Sequence, residues 1–154
     1  MPITRLANEP RLYFAAAAAV TGLIVSVAMV TVGGPSAKYL PAGWVHAMAI
    51  PGAGVAALLC ADAFGHARGW GWAVAFLGGA LMTVLGGAVG AGLLGMGYGQ
   101  FHGWGLGVVA IIDASMSGAA VGIWAVLMAL LHLGARKMRE GWMPPRMNWP
   151  FPLR

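Results

Sequence analysis

Residues 12–32 form a run of 21 without one charged side chain, and three further long apolar runs follow at 43–64, 70–94 and 104–133. An α-helix needs about 20 apolar residues to cross the hydrocarbon core of a bilayer. Lipid offers the backbone no hydrogen bonds, so such runs fold as helices that satisfy their own amides and carbonyls. The expected fold is all-α: an integral membrane bundle of four transmembrane helices, with an extended Pro/Trp-rich C-terminal tail. Charge supports this, since 8% of the 154 residues are charged against about 25% in a soluble domain. The first run is longer than the apolar stretch of a signal peptide, about 7–15 residues, and reads as a retained helix.

The connections at 33–42, 65–69 and 95–103 are short and rich in glycine and proline. None has room for a separate domain. Residues 1–134 read as the transmembrane domain and 135–154 as a basic, proline- and aromatic-rich cytoplasmic tail. Basic residues set the orientation. Arg5, Arg11, Arg68, Arg136, Lys137, Arg139, Arg146 and Arg154 fall on one side of four alternating helices, and Lys38 alone falls on the other. Both chain ends are therefore expected in the cytoplasm, with the protein in the inner (cytoplasmic) membrane. The net charge of +5 flanks the apolar runs and forms no stripe, which points to lipid headgroups and not to nucleic acid.

Glycine, at 25 of 154 residues, is the next constraint. Leaving lipid for another helix gains an apolar side chain nothing, so helices associate where small residues let backbones approach. Each run carries such a stripe: Ala18, Gly22 and Ser26; Gly52, Ala56 and Cys60; Gly79, Thr83, Gly87, Ala91 and Gly95, with Gly86 and Gly90 beside them; and Ala110, Ala114, Gly118 and Gly122. Packing within the chain accounts for most of these. Four helices need fewer stripes than are present, which leaves some for another membrane subunit or for a flat haem or chlorophyll-type ring.

Asp113 is the most unusual residue, a carboxylate about nine positions inside the fourth run. It reads as a possible proton site with Ser117 and Ser115 as local partners, or as a polar clamp between helices. His46 and His102 sit near the same end of their runs and suit two axial ligands to a haem or part of a metal site; His46 alone suits a chlorophyll. The bland reading is two interfacial histidines. Asp62 and His66, four apart, face each other on one helical turn, with His132 as a third ligand if a metal is held. A helix-end ion pair is the simpler account. Cys60 is alone, and HExxH, GxSxG and phosphate-loop motifs are absent, which argues against catalysis by this chain. The stretch WVHAMAIPG, residues 44–52, resembles the histidine-containing helices of haem–copper oxidases over less than a tenth of the chain. It lacks their further histidines, and no residue role is carried over.

The tail, GWMPPRMNWPFPLR, holds Pro144, Pro145, Pro150 and Pro152 and cannot be helical. Trp142, Trp149 and Phe151 give it aromatic anchors, either for headgroups or for docking on a partner. Together these features give an expected function: an accessory or structural transmembrane subunit of a larger inner-membrane complex, with a respiratory or photosynthetic electron-transfer assembly as host. Two alternatives stand beside it. One is a small proton-coupled homo-oligomeric transporter using Asp113; the other is a haem- or quinone-binding membrane anchor using His46 and His102.

Overall fold

The computed structural model describes residues 8–33, 42–67, 69–97 and 103–141. These form five α-helices: α1 (Asn8–Val32), α2 (Ala42–Cys60, closed by a 3-10 turn at Ala61–Ala63), α3 (Gly69–Gly97), α4 (Gly103–Ser115) and α5 (Gly118–Arg139). The segments Glu9–Val32, Ala42–Ala63, Gly69–Met96 and Gly118–Arg139, of 24, 22, 28 and 22 residues, are long and apolar enough to cross a membrane. At about 1.5 Å per residue each exceeds the roughly 30 Å of a hydrocarbon core. Pro51 lies inside α2, which continues past it. The tail residues Trp142, Trp149 and Phe151, together with His102, Lys38 and Arg68, fall outside the described residues.

Side-chain contacts give the directions of the helices. Arg11 and Phe14 at the start of α1 meet Asp62 and Phe64 just beyond α2, while Ser26 near the other end of α1 meets His46 near the start of α2. Trp124 and His132 of α5 meet Thr83 and Trp72 of α3 in reverse order. Successive long helices are thus antiparallel, and the bundle has an Asp62 end and a Val32 end. The described starts and ends of the chain, Asn8 and Gly141, fall toward the Asp62 end.

One expectation is corrected. The run 104–133 is not a single helix but two, α4 of 13 residues and α5 of 22. Hydropathy is blind to the cause, which is the sequence Ser115-Met116-Ser117-Gly118. Ser115 turns its hydroxyl onto the Ile112 carbonyl at 2.6 Å. The amides of Met116 and Ser117 close onto Asp113 and Ala114, three residues back, at 3.1 and 3.0 Å. Ser117 then leaves the helix (φ −89°, ψ 113°) and caps α5 by accepting from the Ala120 amide. Serine side chains compete for backbone groups in this way and favour helix ends over helix interiors. The Ser117 hydroxyl also donates to the carbonyl of Val32, the last residue of α1, at 2.6 Å, which fixes the junction at the Val32 end. α5 extends to Arg139, with Arg136, Lys137 and Arg139 in its last turn, where positive charge meets the helix dipole favourably.

Packing between helices follows the small residues. A methyl group at Gly52 would run into the Gly86 carbonyl, one at Gly22 into Ala53, and one at Gly107 into the Gly87 carbonyl. The stripes on α1, α2, α3 and α4 are therefore spent on one another. At the Asp62 end the core is aromatic and alanine-rich: Phe14 and Phe64, both essentially inaccessible, lie with ring centroids 4.9 Å apart, among Ala18, Ala57, Ala61 and Ala135.

Candidate functional site

Three polar arrangements and two adjoining spaces are the candidates. At the Asp62 end, the Asp62 carboxylate pairs with the Arg11 guanidinium. His66 does not face that carboxylate as its spacing suggested; its Nε2 bonds to the backbone carbonyl of Asp62 at 2.8 Å. Arg139 reaches across from α5 to donate to the carbonyls of Phe64 at 2.8 Å and Asp62 at 3.2 Å. His132 is buried, and its Nδ1 accepts from the Gly65 amide at 3.2 Å. An accepting Nδ1 places the proton of a neutral imidazole on Nε2. That Nε2 has no hydrogen-bonding partner, and the ring lies on Trp72 with centroids 4.4 Å apart. Gly65 adopts φ +84° so that the chain can turn tightly under Ala135. This cluster ties α1, the end of α2 and α5 together. No three potential ligands among the described residues gather to hold a metal ion.

Nearer the Val32 end, His46 of α2 and Ser26 of α1 are 2.9 Å apart through Nδ1 and Oγ. Ser26 is buried and also donates to the Leu23 carbonyl at 2.7 Å. A hydroxyl has one proton, so with that proton on Leu23 the serine oxygen accepts from His46 Nδ1–H. His46 Nε2 is left as a hydrogen-bond acceptor or ligand atom, its tautomer fixed by the bond on the other side of the ring.

Asp113 lies in the last turn of α4 and is partly buried, its backbone carbonyl accepting from Met116. Its mid-membrane depth was read from a continuous helix. Here the helix ends two residues beyond it, and Ser117, four residues on, meets the final carbonyl of α1. Ser117 and Ser115 give their hydroxyl protons to Val32 and Ile112, so neither donates to the Asp113 carboxylate.

Between α1, α2, α3 and α4 lies a cavity of about 390 Å³. Gly86, Gly87 and Gly90 of α3 border it where Ala53, Ile111 and Met48 close on them; Met29, Met48, Met82 and Met128 also line it, and Ser26, Thr21 and Thr83 are its hydroxyl-bearing residues. A second space of about 290 Å³ lies where α4 and α5 part at the serine junction, and it shares Val25, Met29, Thr83 and Ile111 with the first. Thr83 stands on that shared wall, donating to the Gly79 carbonyl at 2.8 Å and accepting from Trp124 Nε1 at 2.9 Å. The first space is open on one side, not sealed, and its lining is almost wholly apolar.

Sequence reasoning singled out His46, Asp113 and Ser117 and missed the Ser26–His46, Thr83–Trp124 and Arg11–Asp62 pairs, because no spacing rule relates residues 20, 41 or 51 positions apart. The chain matches no protein-family model, no curated protein and no solved structure.

Proposed function

We propose that the chain is an accessory transmembrane subunit of a larger inner-membrane complex, held to a helix of a neighbouring subunit along one face of α5. The observation that carries this reading is the state of Gly118 and Gly122. A methyl group added at either meets nothing within 4 Å, whereas Gly22, Gly52, Gly90 and Gly107 are closed by a neighbouring helix. Both are exposed and Ala125 and Ala129 are only half-buried; at about 100° per residue all four share one face. The buried residues of α5, Ala120, Met128, Leu131, His132 and Ala135, lie about a third of a turn away from that face by the same spacing. Glycine costs a helix about 1 kcal/mol relative to alanine, and in lipid it returns that only where another backbone approaches closely.

The bundle crosses the membrane four times in this reading, with both chain ends in the cytoplasm, on the strength of eight basic residues against one. Purification in a gentle detergent tests it. The wild-type chain co-purifies with distinct membrane subunits, and Gly118→Leu with Gly122→Leu releases them. The open surroundings of both glycines leave the fold of the variant intact, which circular dichroism verifies. Unchanged co-purification of the folded double variant, or a wild-type chain that runs alone, overturns the proposal. An electron-transfer assembly is the host class we favour, supported by the apolar space of about 390 Å³ among the helices.

A further inference from the structure

The larger space is long and narrow. Along α3 its lining runs from Met82 to Gly95 and along α1 from Ala18 to Met29, about 20 and 16 Å at the helical rise. A sphere of the same volume, about 390 Å³, would be only about 9 Å across. The deep end is closed by Ala18, Met82 and Met128, buried members of the core that holds Phe14 and Phe64. The other end reaches Val45 in the first turn of α2 and Leu94 and Gly95 in the last turn of α3, and Leu106 on its rim is 62% exposed. The slot thus starts at the Val32 end and stops near mid-bundle. Half of a hydrocarbon core of about 30 Å is about 15 Å, so the slot is about as long as one leaflet is deep.

Nothing in the lining calls for a polar ligand. The hydroxyls of Thr21, Ser26 and Thr83 donate to the carbonyls of Ala17, Leu23 and Gly79 on their own helices, and the other lining residues are aliphatic, methionine or glycine. An α-helix, about 10–12 Å wide with its side chains, is too thick to enter. The smaller space borders the slot at Val25, Met29, Thr83 and Ile111 and reaches Val84, Val121 and Ile123. These are 38–40% exposed on helices long and apolar enough to cross a membrane, so the slot is continuous with the face that lipid chains cover.

We propose that this slot holds one acyl chain of a bilayer phospholipid from the leaflet at the Val32 end, with its terminal methyl against Ala18, Met82 and Met128 and its headgroup outside, level with Val45 and Gly95. The site is independent of the α5 docking face, since none of Gly118, Gly122, Ala125 and Ala129 lines it.

The test uses the full chain in a mild non-ionic detergent, titrated with dipalmitoyl phosphatidylcholine and read by native mass spectrometry. Saturable retention of one lipid per chain is expected. Diphytanoyl phosphatidylcholine, with the same headgroup on methyl-branched chains too wide for the slot, binds at least about fivefold more weakly. Dihexanoyl phosphatidylcholine, whose chains are too short to reach Ala18, is weakened as much. Val25→Phe, which fills the slot where the two spaces meet, lowers dipalmitoyl retention about tenfold while circular dichroism shows an intact fold. Where that variant does not fold, the comparison of straight and branched chains on the wild type decides. Gly118→Leu with Gly122→Leu retains the lipid as wild type does, so failure of the docking face and failure of this site are told apart. Equal retention of dipalmitoyl and diphytanoyl lipid overturns the proposal, and equal retention of the dihexanoyl lipid does so by placing recognition at the headgroup. Graded, unsaturable binding that a folded Val25→Phe chain keeps also overturns it and shows boundary lipid alone.

Discussion

Ser117→Ala is the substitution on which the account of the broken fourth run depends. Ser117 makes two bonds through one oxygen: it donates to Val32 at 2.6 Å and accepts from the Ala120 amide at 3.4 Å. The cap is long, so its loss belongs at the low end of the range for caps, about 0.5 kcal/mol. The bond to Val32 joins two helices and is short, and interhelical bonds of this kind average about 0.6 kcal/mol. Together the loss is about 1 kcal/mol, several-fold in the unfolding constant. Unfolding in mixed micelles of a mild and a denaturing detergent, followed by tryptophan fluorescence, measures it. Ser117→Gly separates the parts, because glycine retains most of the capping preference and loses only the Val32 bond; it is expected to cost about half as much. Alanine is also the better helix former, so the variant tests whether α4 and α5 would otherwise join. A Ser117→Ala protein as stable as wild type, to within about 0.3 kcal/mol, would refute the reasoning and assign the break to packing alone.

Other substitutions probe the Asp62 end and the glycines in the same assay. Phe64→Ala, which empties a buried site beside Phe14, is expected to cost about 3–5 kcal/mol. Gly65→Ala is expected to cost at least about 2 kcal/mol, because the residue has φ +84° and a methyl there would lie 2.7 Å from the Ala135 carbonyl carbon. Gly122→Ala, with open space around it, is instead expected to be neutral or to stabilise the isolated chain by up to about 1 kcal/mol. Arg11→Gln removes an ion pair whose side chains are 28% and 24% exposed, and is expected to cost about 1 kcal/mol, with a smaller difference at high salt.

The helices of this protein were legible in its sequence to a degree that its polar contacts were not. Apolar runs at 12–32, 43–64 and 70–94 map onto α1, α2 with its 3-10 turn, and α3 within a few residues, because lipid makes length and hydropathy nearly sufficient. The run 104–133 misled for the same reason: Ser115 and Ser117 barely alter hydropathy, yet their hydroxyls redirect the backbone. The stripes at Gly22, Gly52 and Gly86 were visible as interfaces, but which stripe meets which depends on helix rotation. Only the structure separates Gly107, locked on Gly87, from Gly122, locked on nothing. His46 stood out by type, whereas Ser26 became its partner only when α1 and α2 folded together.

The serine junction also shapes the inner and the outer side of α5. If 104–133 were one straight helix, α5 would continue the line of α4 along α3. Instead the chain returns at Ser117 to the end of α1, α4 stays on the α3 glycines, and α5 sets off again toward the Asp62 end. The wedge opened between them is the smaller cavity, and restarting at Gly118 puts Gly118 and Gly122 on the outside of the bundle, where a neighbouring helix can reach them. One local competition between serine hydroxyls and the helix ladder thus shapes both the inward space and the exposed glycine face proposed as the docking surface. Variants that restore a continuous helix, Ser115→Ala with Ser117→Ala, are therefore expected to weaken partner retention. Circular dichroism and co-purification check it: a folded double-alanine chain that keeps its partners in full amount would show that the junction does not place the glycine face.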